Sequence, residues 1–253
     1  MERLNKVFIS YSYKDEIARS ELISKLNGRG INPYVFPPIT VSPNRLNSND
    51  LIESILHHDS MIYIKGEYSD KSFWVVFERD YAMRAHKEVY SFDPSTMKIE
   101  KSRLPLLDLP IFPCYIHEDY KKIEAVFEFM RRRYIDLETL HEKFSPKLQI
   151  GDSLANFVYN ILRSGNYIIF FLTSHIRSEM VSEMSNVMES RPERILFALL
   201  DKDAIKTIPS NLPPQKILTI PLYGDNIRSE KTRWHDLIVM IYWLILRNAY
   251  ELV

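Results

Sequence analysis

The 253-residue chain is short of several things, and each shortage excludes a class of protein. Its single cysteine, Cys114, excludes an intrachain disulfide and a thiolate zinc cluster, and points to a reduced, cytoplasmic setting. Charge of one sign is missing too. The 33 Lys and Arg are matched by 33 Asp and Glu, without the basic surplus that phosphate-driven nucleic-acid binding needs. Six glycines leave little material for phosphate-cradling loops. Gly28-Arg29-Gly30 follows a helical stretch, so it reads as a helix stop rather than a dinucleotide fingerprint. The longest apolar run, 237–246 (LIVMIYWLIL), falls well short of the ~20 residues a spanning helix needs, so it reads as a buried terminal helix. The start carries no recognisable secretory signal, and no membrane association is expected. The seven histidines are scattered, and the adjacent His57 and His58 would point about 100° apart on a helix, so no metal site is expected.

What is present is an alternation of short apolar strands with helical stretches, the pattern of an α/β sheet. Strand candidates are 6–12 (KVFISYS), 34–36, 61–64 (MIYI), 89–92 and 111–116. Between them, Ile17, Leu22, Ile23 and Leu26 recur at helical spacing, as do Leu51, Ile52, Ile55 and Leu56 behind Asn49 or Asp50 as cap. Helical stretches are also expected at 74–86 and 124–130, the latter closed by Arg131-Arg132-Arg133, a solvated end that suits the helix dipole. The order then recurs: a helix at 153–162 and strands at 167–172, 195–199 and 216–222, followed by the helix 234–246. One constant offset places Ser69 on Ser174, Val76 on Val181, Glu78 on Glu183 and Met83 on Met188, which reads as an internal duplication. The second copy lacks a partner for 6–26 unless 111–130 serves there.

Ligands of an open α/β sheet sit beyond the carboxyl ends of the strands. The first strand carries Ser10, Tyr11, Ser12 and Tyr13 to that edge, and the third leads through 65–70 into the helix holding Trp74 and Glu78. Four positions apart, these two share a helical face. An indole beside a carboxylate makes a flat apolar wall next to one negative charge. That suits a cationic, planar substrate and an oxocarbenium-like centre during glycosidic cleavage. Spacing alone favours the plainer reading, with Trp74 in the core and Glu78 on a solvated face. Cys114, within a strand candidate, reads as buried rather than nucleophilic.

The segments 6–16 (KVFISYSYKDE) and 68–83 (YSDKSFWVVFERDYAM) carry a resemblance. With the Trp-x-x-x-Glu pattern at Trp74 and Glu78, they resemble the opening strand and the third-strand exit of the TIR (Toll/interleukin-1 receptor) domain family. The likeness spans residues 1–135. It implies a flavodoxin-like parallel sheet flanked by helices, and, as in many members, cleavage of NAD to nicotinamide and ADP-ribose or a cyclic ADP-ribose signal. On that resemblance Glu78 is the catalytic carboxylate and Trp74 its partner in the pocket. Ser12 and Tyr13 line the pocket from the first strand with Ser10 beside them, and Phe36 flanks it after the second strand. NAD is then substrate, and no cofactor is implied. Assembly head to tail implies a homo-oligomer or TIR–TIR assembly, with a defence-system protein as a further partner in bacterial antiphage defence.

Residues 136–253 are expected to form a degenerate second TIR-like α/β unit, with 111–135 assignable to either half. There Glu183 keeps the glutamate position but Glu179 replaces the tryptophan, so that copy is expected to be inactive. Pro37-Pro38 and the lack of glycine from 31 to 65 depart from the family's loop after strand two. Two rivals stand beside the enzyme: a non-catalytic adaptor acting by TIR–TIR assembly, and a related glycosidase using the same carboxylate on another nucleotide.

Overall fold

A computed structural model describes residues 6–36, 48–115, 117–139, 154–176 and 185–250. The chain divides into two units, Met1–Asp108 with Leu246–Val253, and Leu109–Ile245, each built on its own sheet.

In the first unit, β1 (Val7–Ser10), β2 (Tyr34–Val35), β3 (Ser60–Ile64) and β4 (Glu88–Asp93) run parallel in the order β2-β1-β3-β4. Strands β1 and β3 are buried along their whole length, which is why they read as unbroken apolar runs rather than alternations. Side chains nevertheless alternate between the two faces. Val7, Ile9, Ile62, Ile64 and Phe92 pack with Leu22 and Leu26 of α1 (Glu16–Asn27). Ile17, grouped with these by spacing, is instead 80% exposed, because it sits in the first turn of the helix on its outer side. Helix α1 ends where the glycines begin, and Gly30 adopts φ +74° in the turn that follows.

Helix α2 spans Ser48–His57, so the expected caps Asn49 and Asp50 already lie in its first turn. Helix α3 (Phe73–Arg84) packs against β1, β3 and β4. It is buried nearly all round, through the apolar Phe73, Trp74, Val75, Val76, Phe77, Tyr81 and Ala82 and the acidic Glu78 and Asp80. Burial at roughly 1.5–3 kcal/mol for each large side chain makes this helix the chief anchor of its face of the sheet.

A strand absent from the sequence reading, β5 (Lys98–Lys101), pairs antiparallel with β4. The turn between them is held by Asp93, whose Oδ1 accepts from Ser95 N at 2.9 Å and Ser95 Oγ at 2.6 Å, and Met97 takes φ +56°. From β5, residues 102–108 return to α3. Leu107 N donates to Asp80 Oδ1 at 2.7 Å, Arg84 donates to the Leu107 carbonyl, and Arg84 Nε pairs with Asp80 Oδ2 at 2.8 Å.

In the second unit β6 (Ile111–Cys114), β7 (Tyr167–Leu172), β8 (Ile195–Leu199) and β9 (Leu218–Pro221) form a parallel sheet in that order. Its helices include α4 (Tyr120–Arg132), α5 (Leu154–Arg163) and α6 (Ile227–Leu246). Ile123, Val126, Phe127 and Met130 form the buried stripe of α4.

Residues 111–135, assignable to either half by sequence, fall in the second unit, which begins at Leu109. The reason is pairing: Ile111–Cys114 bonds to β7 and not to the first sheet, whose far edge is taken by β5. Residues 7–15 (VFISYSYKD) and 111–119 (IFPCYIHED) now correspond, with Phe8 on Phe112, Tyr11 on Tyr115 and Asp15 on Asp119. The two aspartates also act alike. Asp15 Oδ2 accepts from Ser69 N at 2.7 Å, and Asp119 Oδ2 accepts from Thr173 Oγ1 at 2.6 Å, each bonding to the chain beyond the neighbouring strand. The fold is thus α/β in both halves, with mostly parallel sheets flanked by helices. The first departs from a five-stranded all-parallel sheet because β5 is a hairpin partner.

Candidate active site

Connections from β1 run to β2 on one side, and β3 lies on the other, so the topology reverses between β1 and β3. Open α/β sheets bind their ligands at such a point. The two loops that leave these strands are tied together there. Ser12 N donates to Ser69 Oγ at 2.9 Å, Ser69 N donates to Asp15 Oδ2, and Lys14 N donates to Ser12 Oγ at 3.3 Å. Gly66 completes the lock by having no side chain: a Cβ there would stand 2.7 Å from Asp15 Oδ2.

Beneath the loops, Ser10 at the end of β1 donates from Oγ to Glu78 Oε2 at 2.5 Å. Glu78 is only 6% exposed. Burial pushes its carboxyl up to about 8, against the lowering pull of the Ser10 hydroxyl. Trp74, one turn earlier on α3, is 3% exposed, with its ring edge-on to Phe73 at 5.0 Å and to Phe77 at 6.4 Å. Its indole N–H is buried and has no hydrogen-bond partner among the described residues. Asp70 is raised by partial burial, with Arg79 pulling it down and Asp15 pushing it up.

The structure therefore brings Ser10, Ser12, Trp74 and Glu78 to one strand edge and the helix over it. Trp74 is a core side chain, as plain packing predicts, whereas Glu78 is not on a solvated face. Tyr13 is 42% exposed on a short 3-10 turn, with the Lys14 ammonium 5.9 Å from its ring. Phe36 is set apart from this group. It lines a hollow of about 940 Å³ with Tyr34, Glu53, His57 and His58. Pro37-Pro38, Glu179 and Glu183 lie outside the described residues. In the second unit Cys114 takes the place of Ser10, and burial of its sulfur pushes the thiol up to about 12, which leaves it unreactive.

Asp15, Gly66 and Ser69 were not picked out from sequence. Their only local signal is polarity or small size at a strand exit, and their roles come from the pairing of two loops 54 positions apart.

No protein-family model matches the chain, and comparison with curated proteins finds no relative. Solved structures with some likeness include a glucose-galactose binding protein from Geobacillus stearothermophilus, at 11% identity and TM-score 0.26, over 99% of this chain and 94% of that one. The transcription regulator CcpA of Lactococcus lactis matches at 10% identity and TM-score 0.24, over 97% and 92%. Aspartate transcarbamoylase from Trypanosoma cruzi matches at 8% identity and TM-score 0.23, over 95% and 82%. Scores this low carry no argument about what this chain binds or does.

Proposed function

We propose that the first unit is a TIR-like glycohydrolase that cleaves the bond between nicotinamide and ribose in NAD. The observation that carries the reading is the Ser10–Glu78 pair, a buried carboxyl at the carboxyl edge of β1, one helical turn from Trp74, whose indole N–H has no partner among the described residues. In this reaction the C1′–N bond breaks and its electron pair leaves with neutral nicotinamide. The ribosyl cation then takes up water and releases a proton, giving ADP-ribose; capture by a ring nitrogen of the adenine gives the cyclic product instead. Glu78 in its ionised form opposes the developing positive charge. Its raised pKa keeps it mostly protonated at neutral pH in the free protein. The cationic nicotinamide ring favours the ionised form as it enters, so the charge is present when the bond breaks. Trp74 supplies the flat wall. Ser10 orients the carboxyl, and Ser12 fixes the loop above it.

A second reading, a non-catalytic module acting by assembly, is favoured by one observation. Glu78 and Trp74 are almost sealed, and the hollows over β3–β5 and beside Phe36 are lined by neither. Purified full-length protein mixed with NAD, assayed for nicotinamide release over a range of protein concentrations beside Glu78→Ala, separates the two. Release that depends on Glu78 supports the enzyme. Release unchanged in the variant removes the assignment, and no release at any concentration favours the assembly module. No helix among the described residues is long and apolar enough to cross a membrane.

A further inference from the structure

Strand register sets Ser10, Tyr63, Ser91 and Glu100 in one row across β1, β3, β4 and β5, on the face that α3 covers. Beyond Ser10 along this row lies a hollow of about 720 Å³, within the range that holds small-molecule ligands. Tyr63 and Ser91 contribute buried side chains to it, and Lys65, Lys101 and Arg103 approach it from the end of β3 and from β5 with the segment after it. Leu104 adds an apolar wall on the 102–108 return, which Asp80 and Arg84 fasten to α3.

Hydrogen-bond donors outnumber acceptors in this hollow. Tyr63 is 3% exposed, yet its hydroxyl makes no hydrogen bond to any described residue. Ser91 Oγ reaches only the Glu100 carbonyl, at a long 3.5 Å. Lys101 is held by Glu88 at 2.8 Å, but Lys65 and Arg103 make no ion pair among the described residues, and Lys65 interacts with Asp70 only through longer-range charge. The one carboxylate lining the hollow is Glu100. From α3 the Arg79 guanidinium lies 5.2 Å over the Tyr63 ring, with a buried Nε that has no partner among the described residues. A buried donor left without an acceptor is costly, and Arg79 Nε is one behind the Tyr63 ring, while Lys65 and Arg103 stand at the rim of the hollow.

We propose that this hollow binds a small molecule bearing a diphosphate, its oxygens taken by Lys65 and Arg103 at the rim and by the Tyr63 and Ser91 hydroxyls beneath. Lys101 is engaged by Glu88, so two cations, Lys65 and Arg103, face the ligand with two hydroxyls beneath them, an arrangement suited to a group that offers several anionic oxygens at once. The site does not rest on the glycohydrolase reading, since neither Glu78 nor Trp74 lines it.

The test is calorimetric titration of the full chain with pyrophosphate and with ADP at low salt, repeated on Lys65→Gln/Arg103→Gln, Tyr63→Phe and Glu78→Gln. Wild type binds, and binding weakens with added salt. The double variant loses affinity by about tenfold or more, as expected for two charge-assisted contacts. Tyr63→Phe loses a smaller factor, and Glu78→Gln binds as wild type does. ADP binding tighter than pyrophosphate identifies a nucleotide as the ligand, and equal affinities identify the free diphosphate. No binding by wild type up to millimolar ligand, or equal affinity in the double variant, overturns the proposal. The two altered side chains are exposed, so the double variant is expected to fold.

Discussion

The Ser10 hydroxyl donates to the Glu78 carboxyl at 2.5 Å, joining the end of the first strand to the third helix across 68 positions of chain. The bond is the only influence that lowers the Glu78 pKa against burial. Ser10→Ala is therefore expected to raise that pKa further and shrink the ionised fraction at neutral pH. Under the glycohydrolase reading, the rising limb of kcat/KM for nicotinamide release moves to higher pH, while the plateau changes less. A profile that keeps its midpoint would show that Ser10 does not act through the carboxyl. Stability should respond in the same sense. The loss is about 1.5–3 kcal/mol where Glu78 is charged and about 1 kcal/mol where it is neutral, read from urea midpoints at alkaline and acid pH.

Glu78 also makes folding depend on pH in a direction opposite to most carboxylates. Its folded pKa, about 8, lies above the ordinary 4.5, so between those values the folded chain holds a proton that the unfolded chain has lost. The unfolded state binds fewer protons there, so stability falls as pH rises through that window. The slope reaches about 1.4 kcal/mol per pH unit for one proton. Below the window both states are protonated, and above it both are ionised, so this contribution is flat at either end. Glu78→Gln keeps the neutral shape and removes the titration. Its stability relative to wild type should rise from about pH 5 to about pH 8 and then level off, as measured by urea unfolding in matched buffers. A constant difference would mean that the carboxyl titrates alike in both states.

Much of this fold can be read from apolar patterning because its central strands are buried on both sides. VFIS, MIYI, YIIFFL and ILFAL stand out as runs that no solvated segment would carry. Strand β5 does not stand out. KIEK lies at a sheet edge, with Lys98, Glu100 and Lys101 exposed, so no apolar alternation marks it. The domain boundary was hidden for a different reason: Ile111–Cys114 is apolar enough for either sheet, and the choice of partner strand is made by tertiary pairing. At the site, the four-residue spacing put Trp74 and Glu78 on one helical face. The depth of Glu78 and its bond to Ser10 depend on how α3 lies over β1, which no local pattern encodes.

Gly66 and Asp15 should behave as one energetic unit. A methyl at 66 would stand 2.7 Å from Asp15 Oδ2 and 2.9 Å from its Cγ, while the same carboxylate oxygen is held by Ser69 N. Gly66→Ala must displace the carboxylate and break that bond, at a cost of about 1–3 kcal/mol. Asp15→Ala loses the bond but relieves the clash. In the double variant the costs should fall short of their sum by about 0.5 kcal/mol or more, determined by a double-mutant cycle in urea. Strict additivity would show that the two loops are not coupled through this contact.

Asp80 holds the 102–108 return against α3, and its removal should release that segment as well as destabilise the unit. The carboxylate is fully buried, paired with Arg84 at 2.8 Å and accepting from Leu107 N at 2.7 Å. Asp80→Asn keeps the size but takes away the charge that balances Arg84, and an amide that turns its nitrogen toward Leu107 N loses that bond. Breaking one side of a buried pair costs about 3–5 kcal/mol, and the partial exposure of Arg84 places this case near the lower figure. Residues 101 and 103 are Lys and Arg, so trypsin reports on the segment directly. Cleavage there should accelerate in Asp80→Asn under conditions where the rest of the unit remains folded, which identifies local opening rather than global unfolding. If cleavage instead follows the global unfolding free energy in wild type and variant alike, Asp80 supports the whole unit and the return segment has no separate fastening.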